Sequence, residues 1–228
     1  MSAWLDKLYE TFIETGHYEM MLGGLKTTVI ITLGALIIGV VLGSLIAVVK
    51  YMGEDVKGMK PVITILDAYV TAIRGIPVVV LLMLFFFIFM VSAEGITVAI
   101  VTFGINSSAY MAEVIRSGIN AVDKGQMEAG RSLGMSKVQC TRTVIFPQAI
   151  RNILPAIGNE LIALLKETSV AGYVAIVDLT RAGNLVRNNT YDAVNSLLVV
   201  ALVYLVLVIA LTKLLGLIER RLARSDNR

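Results

Sequence analysis

Residues 123–147 read DKGQMEAGRSLGMSKVQCTRTVIFP, the longest polar passage in a chain otherwise built of long apolar runs. Asp123 is followed three residues on by Gln126, and Ser136 by Gln139, two N-cap plus N3 pairs of the capping-box kind. Gly134 stands where a C′ glycine would end the first of two short helices. The spacing predicts a helix, a turn and a second helix lying on a membrane face.

Composition explains why a polar insert is exceptional here. The chain has 228 residues, 57% of them hydrophobic, and a mean hydropathy of +0.79, which is the profile of a polytopic membrane protein. One cysteine, Cys140, and one histidine, His17, exclude an intrachain disulfide and leave no metal-ligand spacing. The net charge of +3 is spread over short loops between apolar runs, so it signals membrane sidedness and not nucleic acid. Residues 1–24 lack a basic segment followed by an apolar one, so no cleavable signal peptide is expected. Trp4, Tyr9, Phe12 and Tyr18 predict an external, amphipathic segment at the interface.

A helix needs about 20 apolar residues at about 1.5 Å each to cross a hydrocarbon core of about 30 Å. Five stretches qualify as spans within a transmembrane domain over 25–218: about 25–49, 61–91, 96–115, 150–179 and 193–218. Residues 116–149 form the loop between the third and fourth, and 219–228 a polar tail. The expected fold is all-α with five transmembrane helices. Ala35, Gly39, Gly43 and Ala47 recur every four residues on the first span, a stripe of small side chains that lets another helix approach closely. Pro61 suits the first turn of the second span, and Pro77, in Arg74-Gly75-Ile76-Pro77, breaks it. With five spans, fourteen Lys and Arg residues fall on one side and four, Lys7, Lys26, Arg181 and Arg187, on the other. That asymmetry predicts an external N-terminus, with the insert and the C-terminus in the cytoplasm.

Polar residues inside spans cost roughly 2.5–3.5 kcal/mol each when ionisable, so clusters of them imply a cavity or mutual pairing. Asn106, Tyr110 and Glu113 share a face of the third span; on the fourth, Asn159 shares one with Lys166, and Glu160 shares the neighbouring one with Glu167. Together with Thr168 and Ser169 these residues are candidates for a substrate path: a carboxylate would hold an ammonium group, Lys166 or a hydroxyl a carboxylate. The alternative is that the charges pair only with each other. Glu113 is expected to pair with Arg116 one turn later, and Arg74 to hold the helix break. Gly24-Leu25-Lys26-Thr27 lacks phosphate-loop spacing and no G-x-S-x-G element occurs, so no ATP site and no catalytic residue is expected in this chain.

Glu128-Ala129-Gly130, then Gly134, then nine residues to Val144-Ile145-Phe146-Pro147, resembles the E-A-A-x3-G-x9-I-x-L-P signature of the membrane subunits of bacterial ABC importers. It departs from it at Gly130 and in the V-I-F-P ending. The R-G-I-P stretch at 74–77, SAYMAE at 108–113, IFPQAIR at 145–151 and LKETS at 165–169 are similar to the polar amino acid permeases of that family. The resemblance implies the type I importer permease fold, with residues 128–134 as a coupling helix, Gly134 giving the sharp turn and Pro147 leading back into the membrane. It also implies a second permease chain, identical or a sister, two cytoplasmic ATPase subunits carrying the ATP and Mg, and an extracytoplasmic amino-acid-binding protein. The expected setting is the bacterial cytoplasmic membrane, and the expected activity is alternating-access import of a polar or charged amino acid. A secondary transporter or channel working without ATP is the rival reading.

Overall fold

A computed structural model describes residues 2–224, with side chains from 4 to 220; of the expected tail, residues 225–228 lie outside it. Every regular element among the described residues is helical. The helices are α1 (Ser2–Tyr9), α2 (His17–Gly53), α3 (Lys60–Gly75), α4 (Val78–Leu84), α5 (Gly95–Asn120), α6 (Lys124–Ser132), α7 (Lys137–Cys140), α8 (Phe146–Glu167), α9 (Leu179–Thr190) and α10 (Ala193–Arg224). Widened π turns continue α1 over Glu10–Glu14, α4 over Phe85–Phe89 and α7 over Thr141–Ile145, and a 3-10 segment, Thr168–Val174, follows α8.

By length and apolarity α2, α5 and α10 can cross a membrane, and a fourth crossing results if α3 and α4 with its π turn make one broken span. The break falls where Pro77 places it, with Ile76 extended (φ −97°, ψ 128°) as the residue before a proline prefers. Residues 150–179 do not qualify: α8 carries Arg151, Asn159, Glu160, Lys166 and Glu167, and helix geometry ends in the 3-10 segment. A fifth span thus stays an expectation. Burial separates the crossing helices, since the most apolar stretch of α5 is 67% buried against 28% in α2 and 17% in α10. Thr102, Asn106, Ser107 and Ser108 of α5 are buried, whereas α2 and α10 turn apolar faces outward.

The chain forms two compact units. The first takes Met1–Ala35, Val78–Phe103 and Ile162–Lys213. Its core joins Phe12, Met21, Leu179, Ala182, Val186 and Val200. Asp178 caps α9 by accepting from the Thr180 and Arg181 amides at 2.9 and 3.0 Å, and the buried Thr28 hydroxyl of α2 accepts from the Leu179 amide at 3.1 Å. Those bonds satisfy amides that the start of a helix leaves without intrahelical partners.

The second unit takes Leu36–Pro77, Gly104–Leu161 and Leu214–Arg228. The small-residue stripe of α2 does here what its spacing predicts. A Cβ on Gly39 would lie 2.5 Å from the Ser107 hydroxyl oxygen, and one on Gly43 would meet Met111 and the backbone of Ser108 and Ala112. Below this seam Ala47, Ile115, Ile119, Val122, Ile145, Ala149 and Ile153 form a core that joins the ends of α2 and α5 to the π turn and α8.

Candidate functional site

The polar insert is defined by three local devices. Asp123 caps α6, its carboxylate accepting from the Gly125 amide at 2.7 Å. The reciprocal bond expected from Gln126 is not made, because the Gln126 side-chain oxygen accepts from Gln148 at 3.4 Å instead. At the other end of α6 the Gly134 amide donates to Arg131 O at 3.0 Å and the Met135 amide to Gly130 O at 3.1 Å, a Schellman pair. It requires the left-handed conformation that Gly134 adopts (φ +84°). Ser136 and Gln139 then complete a full capping box on α7.

One correction concerns the second helix. Two short helices are expected, but α7 does not end: it runs through the Thr141–Ile145 π turn directly into α8. Proline lacks the donor for an intrahelical bond and crowds the carbonyl four residues earlier. At Pro147 that carbonyl belongs to Thr143, inside the widened turn, where pairing has shifted to Phe146 amide with Thr141 O.

Burial divides the signature residues. Gly130 is buried, and a Cβ there would collide with the Cys140 sulfur. This is the physical reason for glycine where the signature has its second alanine. Glu128, Ala129, Gly134 and Pro147 are exposed, and beside them Leu133 and Val138 are 82% and 60% exposed. A polar insert thus presents two large apolar side chains outward. Lys137 fastens the insert to the end of α2: its ammonium pairs with Asp55, donates to Tyr51 O at 3.4 Å and lies 5.3 Å from the Tyr51 ring centroid. A cavity of about 560 Å³ runs from Tyr51 and Glu54 to Asp123, Met127 and Glu128.

In the second unit Asn106 is buried, and Tyr110 lies under the Arg74 guanidinium, 5.2 Å from ring centroid to cation. Arg74 thus contacts an aromatic ring of α5 within the same unit. Glu113 pairs with Arg116 at 2.7 and 3.3 Å, as expected, and also with Lys50 at 3.7 Å. Lys50 in turn pairs with Asp67 at 2.6 Å, and these four charges line a cavity of about 350 Å³. Glu160 is half-buried and accepts from the Ser107 hydroxyl at 3.1 Å, while Asn159 is exposed. In the first unit Lys166 is exposed and Glu167 half-buried. The buried Thr168 hydroxyl donates to Leu165 O at 2.8 Å. Ser169 lines a cavity of about 480 Å³ with Tyr173, Thr180, Arg181 and Asn184.

Sequence reasoning missed Asp67, Ser107 and Tyr69, whose hydroxyl pairs with Ser108 at 2.7 Å. Asp67 carried a signal, being an acidic residue within the expected 61–91 span. The two hydroxyl residues carried none until α3, α5 and α8 were placed together.

Residues 39–224 match the family described as binding-protein-dependent transport system inner membrane component. Among curated proteins, the chain is similar to the arginine transport system permease protein ArtQ of Bacillus subtilis, 36% identical over 90% of this chain and 94% of that protein. It is also similar to the putative glutamine transport system permease protein GlnP of Rickettsia typhi, 32% identical over 97% and 99%. Among solved structures, an amino acid ABC transporter with histidines is 39% identical with a TM-score of 0.84, covering 91% of this chain and 96% of that one. An inward-facing MetNI methionine ABC transporter has a TM-score of 0.78 at 23% identity, a likeness of fold alone, over 89% and 96%.

Proposed function

The chain belongs to the binding-protein-dependent transport system inner membrane components, and from that premise we propose that it is the permease subunit of an ATP-driven importer for a polar or charged amino acid. ATP hydrolysis in such systems belongs to separate subunits, so this chain acts by changing shape. The observation that carries the reading is the insert: a helix closed by Gly134 and followed by a second helix that is continuous with α8, with Glu128, Leu133 and Val138 turned outward. An amphipathic helix seated in a groove of a moving ATPase transmits that motion to the helices attached to it.

In this reading two permease chains, identical or sister, work with two ATPase subunits, which hold ATP and Mg, and an extracytoplasmic binding protein. The N-terminus lies outside and the insert in the cytoplasm. Asn106, Tyr110, Asn159, Glu160, Lys166, Glu167, Thr168 and Ser169 belong to the substrate path. The relatives named for arginine and glutamine transport support an amino acid as cargo.

The test is reconstitution of the chain with its ATPase and binding-protein partners in liposomes. Amino acid uptake that requires ATP, and hydrolysis stimulated by the loaded binding protein, are expected. Uptake driven by an ion gradient in the absence of ATP would overturn the proposal in favour of a secondary transporter.

A further inference from the structure

The start of α9 and the 3-10 segment after α8 border a cavity of about 480 Å³ whose lining carries one cation and no acidic side chain. Ser169, Tyr173, Thr180 and Asn184 line it with Arg181, and among the described residues the exposed Arg181 guanidinium makes no ion pair. We propose that this cavity is a subsite for the α-carboxylate of the transported amino acid, with Arg181 as its anchor and Ser169 and Asn184 as further donors.

Local structure fixes Arg181 while leaving its head free. The neighbouring carboxylate of Asp178 is fully buried, and its two oxygens accept from the Thr180 and Arg181 amides at 2.9 and 3.0 Å. Asp178 thus holds the first turn of α9 and leaves the charge of Arg181 unanswered. The stem of Arg181 lies along the 3-10 segment, where a Cβ on Gly172 would stand 3.4 and 3.5 Å from its Cβ and Cδ. The Thr180 hydroxyl pairs with the Tyr204 hydroxyl at 3.2 Å, which braces the cavity wall against α10.

Three features select an amino acid carboxylate. A guanidinium presents paired N–H donors that match the two oxygens of a carboxylate, and such charge-assisted pairs are the strong ones. The cavity has the size of a small-molecule site and is not a flat protein-docking face. Ser169 follows Thr168 on the chain that continues α8 beyond Lys166 and Glu167, residues of the proposed substrate path in the same unit. With the N-terminus outside, α9 lies on the outer side, so the cavity meets the solute as it leaves the binding protein. The proposal rests on the function proposed above in taking an amino acid as cargo.

The test is the melting midpoint of the full permease and ATPase complex in detergent, without the binding protein. The probes are the standard amino acids, each beside the amine left when its carboxylate is removed, so that arginine is paired with agmatine. At least one amino acid is expected to raise the midpoint, by about 5–10 °C at a hundredfold excess over its Kd. Its amine should leave the midpoint unmoved, and Arg181→Gln should abolish the shift. Should Arg181→Gln lower the unliganded midpoint, Arg181→Lys carries the test, because a point charge without the fork should give a clearly smaller shift. An equal shift from the amine or from inorganic phosphate, a full shift in either variant, or no shift from any amino acid would overturn the proposal. A retained shift with loss of binding-protein docking to Arg181→Gln liposomes would assign the cation to an acidic residue of that protein and overturn it equally. Uptake without ATP would sink the importer reading and leave the shift standing, and ATP-driven import with no shift would do the reverse.

Discussion

Adding one methyl group at Gly43 forces α2 and α5 apart. The new Cβ would lie 2.8 Å from Ser108 O and 3.0 Å from the Ala112 nitrogen, where ordinary contact begins at 3.4 Å, so the backbone of α5 has to retreat by about 0.6 Å. Backbone cannot swing aside as a long side chain does, and overpacking of this kind costs about 1–3 kcal/mol. Alanine also brings a gain of about 1 kcal/mol over glycine in a helix interior. Gly23, on the same helix with nothing within 4 Å of its Cβ position, separates the two effects. Gly23→Ala has the gain without the clash, so the difference between the variants is the overpacking cost alone. At about 2–4 °C per kcal/mol for a chain of this size, Gly43→Ala should lose its fold about 2–12 °C below Gly23→Ala. The measurement is the monodisperse fraction surviving a heating series in detergent. Equal midpoints for the two variants would refute the seam as a close backbone contact.

Gly134→Ala places a Cβ at φ +84°, a strain of about 1–2 kcal/mol, and should lower amino acid imported per ATP hydrolysed in reconstituted vesicles; an unchanged ratio would remove Gly134 from the coupling path. Lys137→Met gives up an ion pair to a 73% exposed Asp55, worth about 1 kcal/mol or less, so the melting midpoint should barely move while the same ratio falls. Burial of Asp192 opposes its ionisation, but hydrogen bonds from the Asn195 amide and side chain, then Lys7 and Thr11, hold its carboxyl below its ordinary value of 3.8. The stability that Asp192 contributes is therefore complete above that value and lost as pH falls from it through the lower folded value, and Asp192→Asn should flatten the acid limb of a melting-versus-pH curve. Glu160→Gln should raise the KM for substrate-stimulated hydrolysis more than it lowers kcat; an unaltered KM would take Glu160 out of the substrate path.

What was legible in the sequence was what short-range chemistry decides. The Asp123 cap, the left-handed Gly134, the Ser136 and Gln139 box and the break at Pro77 each depend on a few neighbouring residues, and each stands where its residues predict. The stripe through Gly39 and Gly43 was legible for another reason, since a four-residue repeat of small side chains is useful only if something comes close. The uninterrupted passage from α7 to α8 was hidden because Pro147 reads as a helix breaker, and only the π turn shows how it is accommodated. The Lys50, Asp67 and Glu113 pairs join three helices whose register no local pattern encodes. The same holds for Gly130, whose identity is explained by Cys140 ten residues away.

That hidden continuity changes how the insert would transmit force. On its N-terminal side, α5 ends at Asn120 and α6 begins afresh after Asp123, so the connection is a non-helical joint. On its C-terminal side no joint exists: from Lys137 to Glu160 each residue is helical, and the Ile145, Ala149 and Ile153 face is packed against Ala47, Ile115 and Ile119. A push on the Leu133 and Val138 surface is therefore absorbed at residues 121–123 but passed along α8, where one of the first polar groups it reaches inside the expected span is Glu160, held by Ser107 of α5. The hydrogen bond between those two residues is where a rigid α8 would shear against α5. Ser107→Ala, which removes the donor and keeps the close packing under Gly39, should therefore alter the rate of the transport cycle more than the thermal midpoint. A variant with a lowered midpoint and an unchanged cycle would mean that the bond only holds helices together.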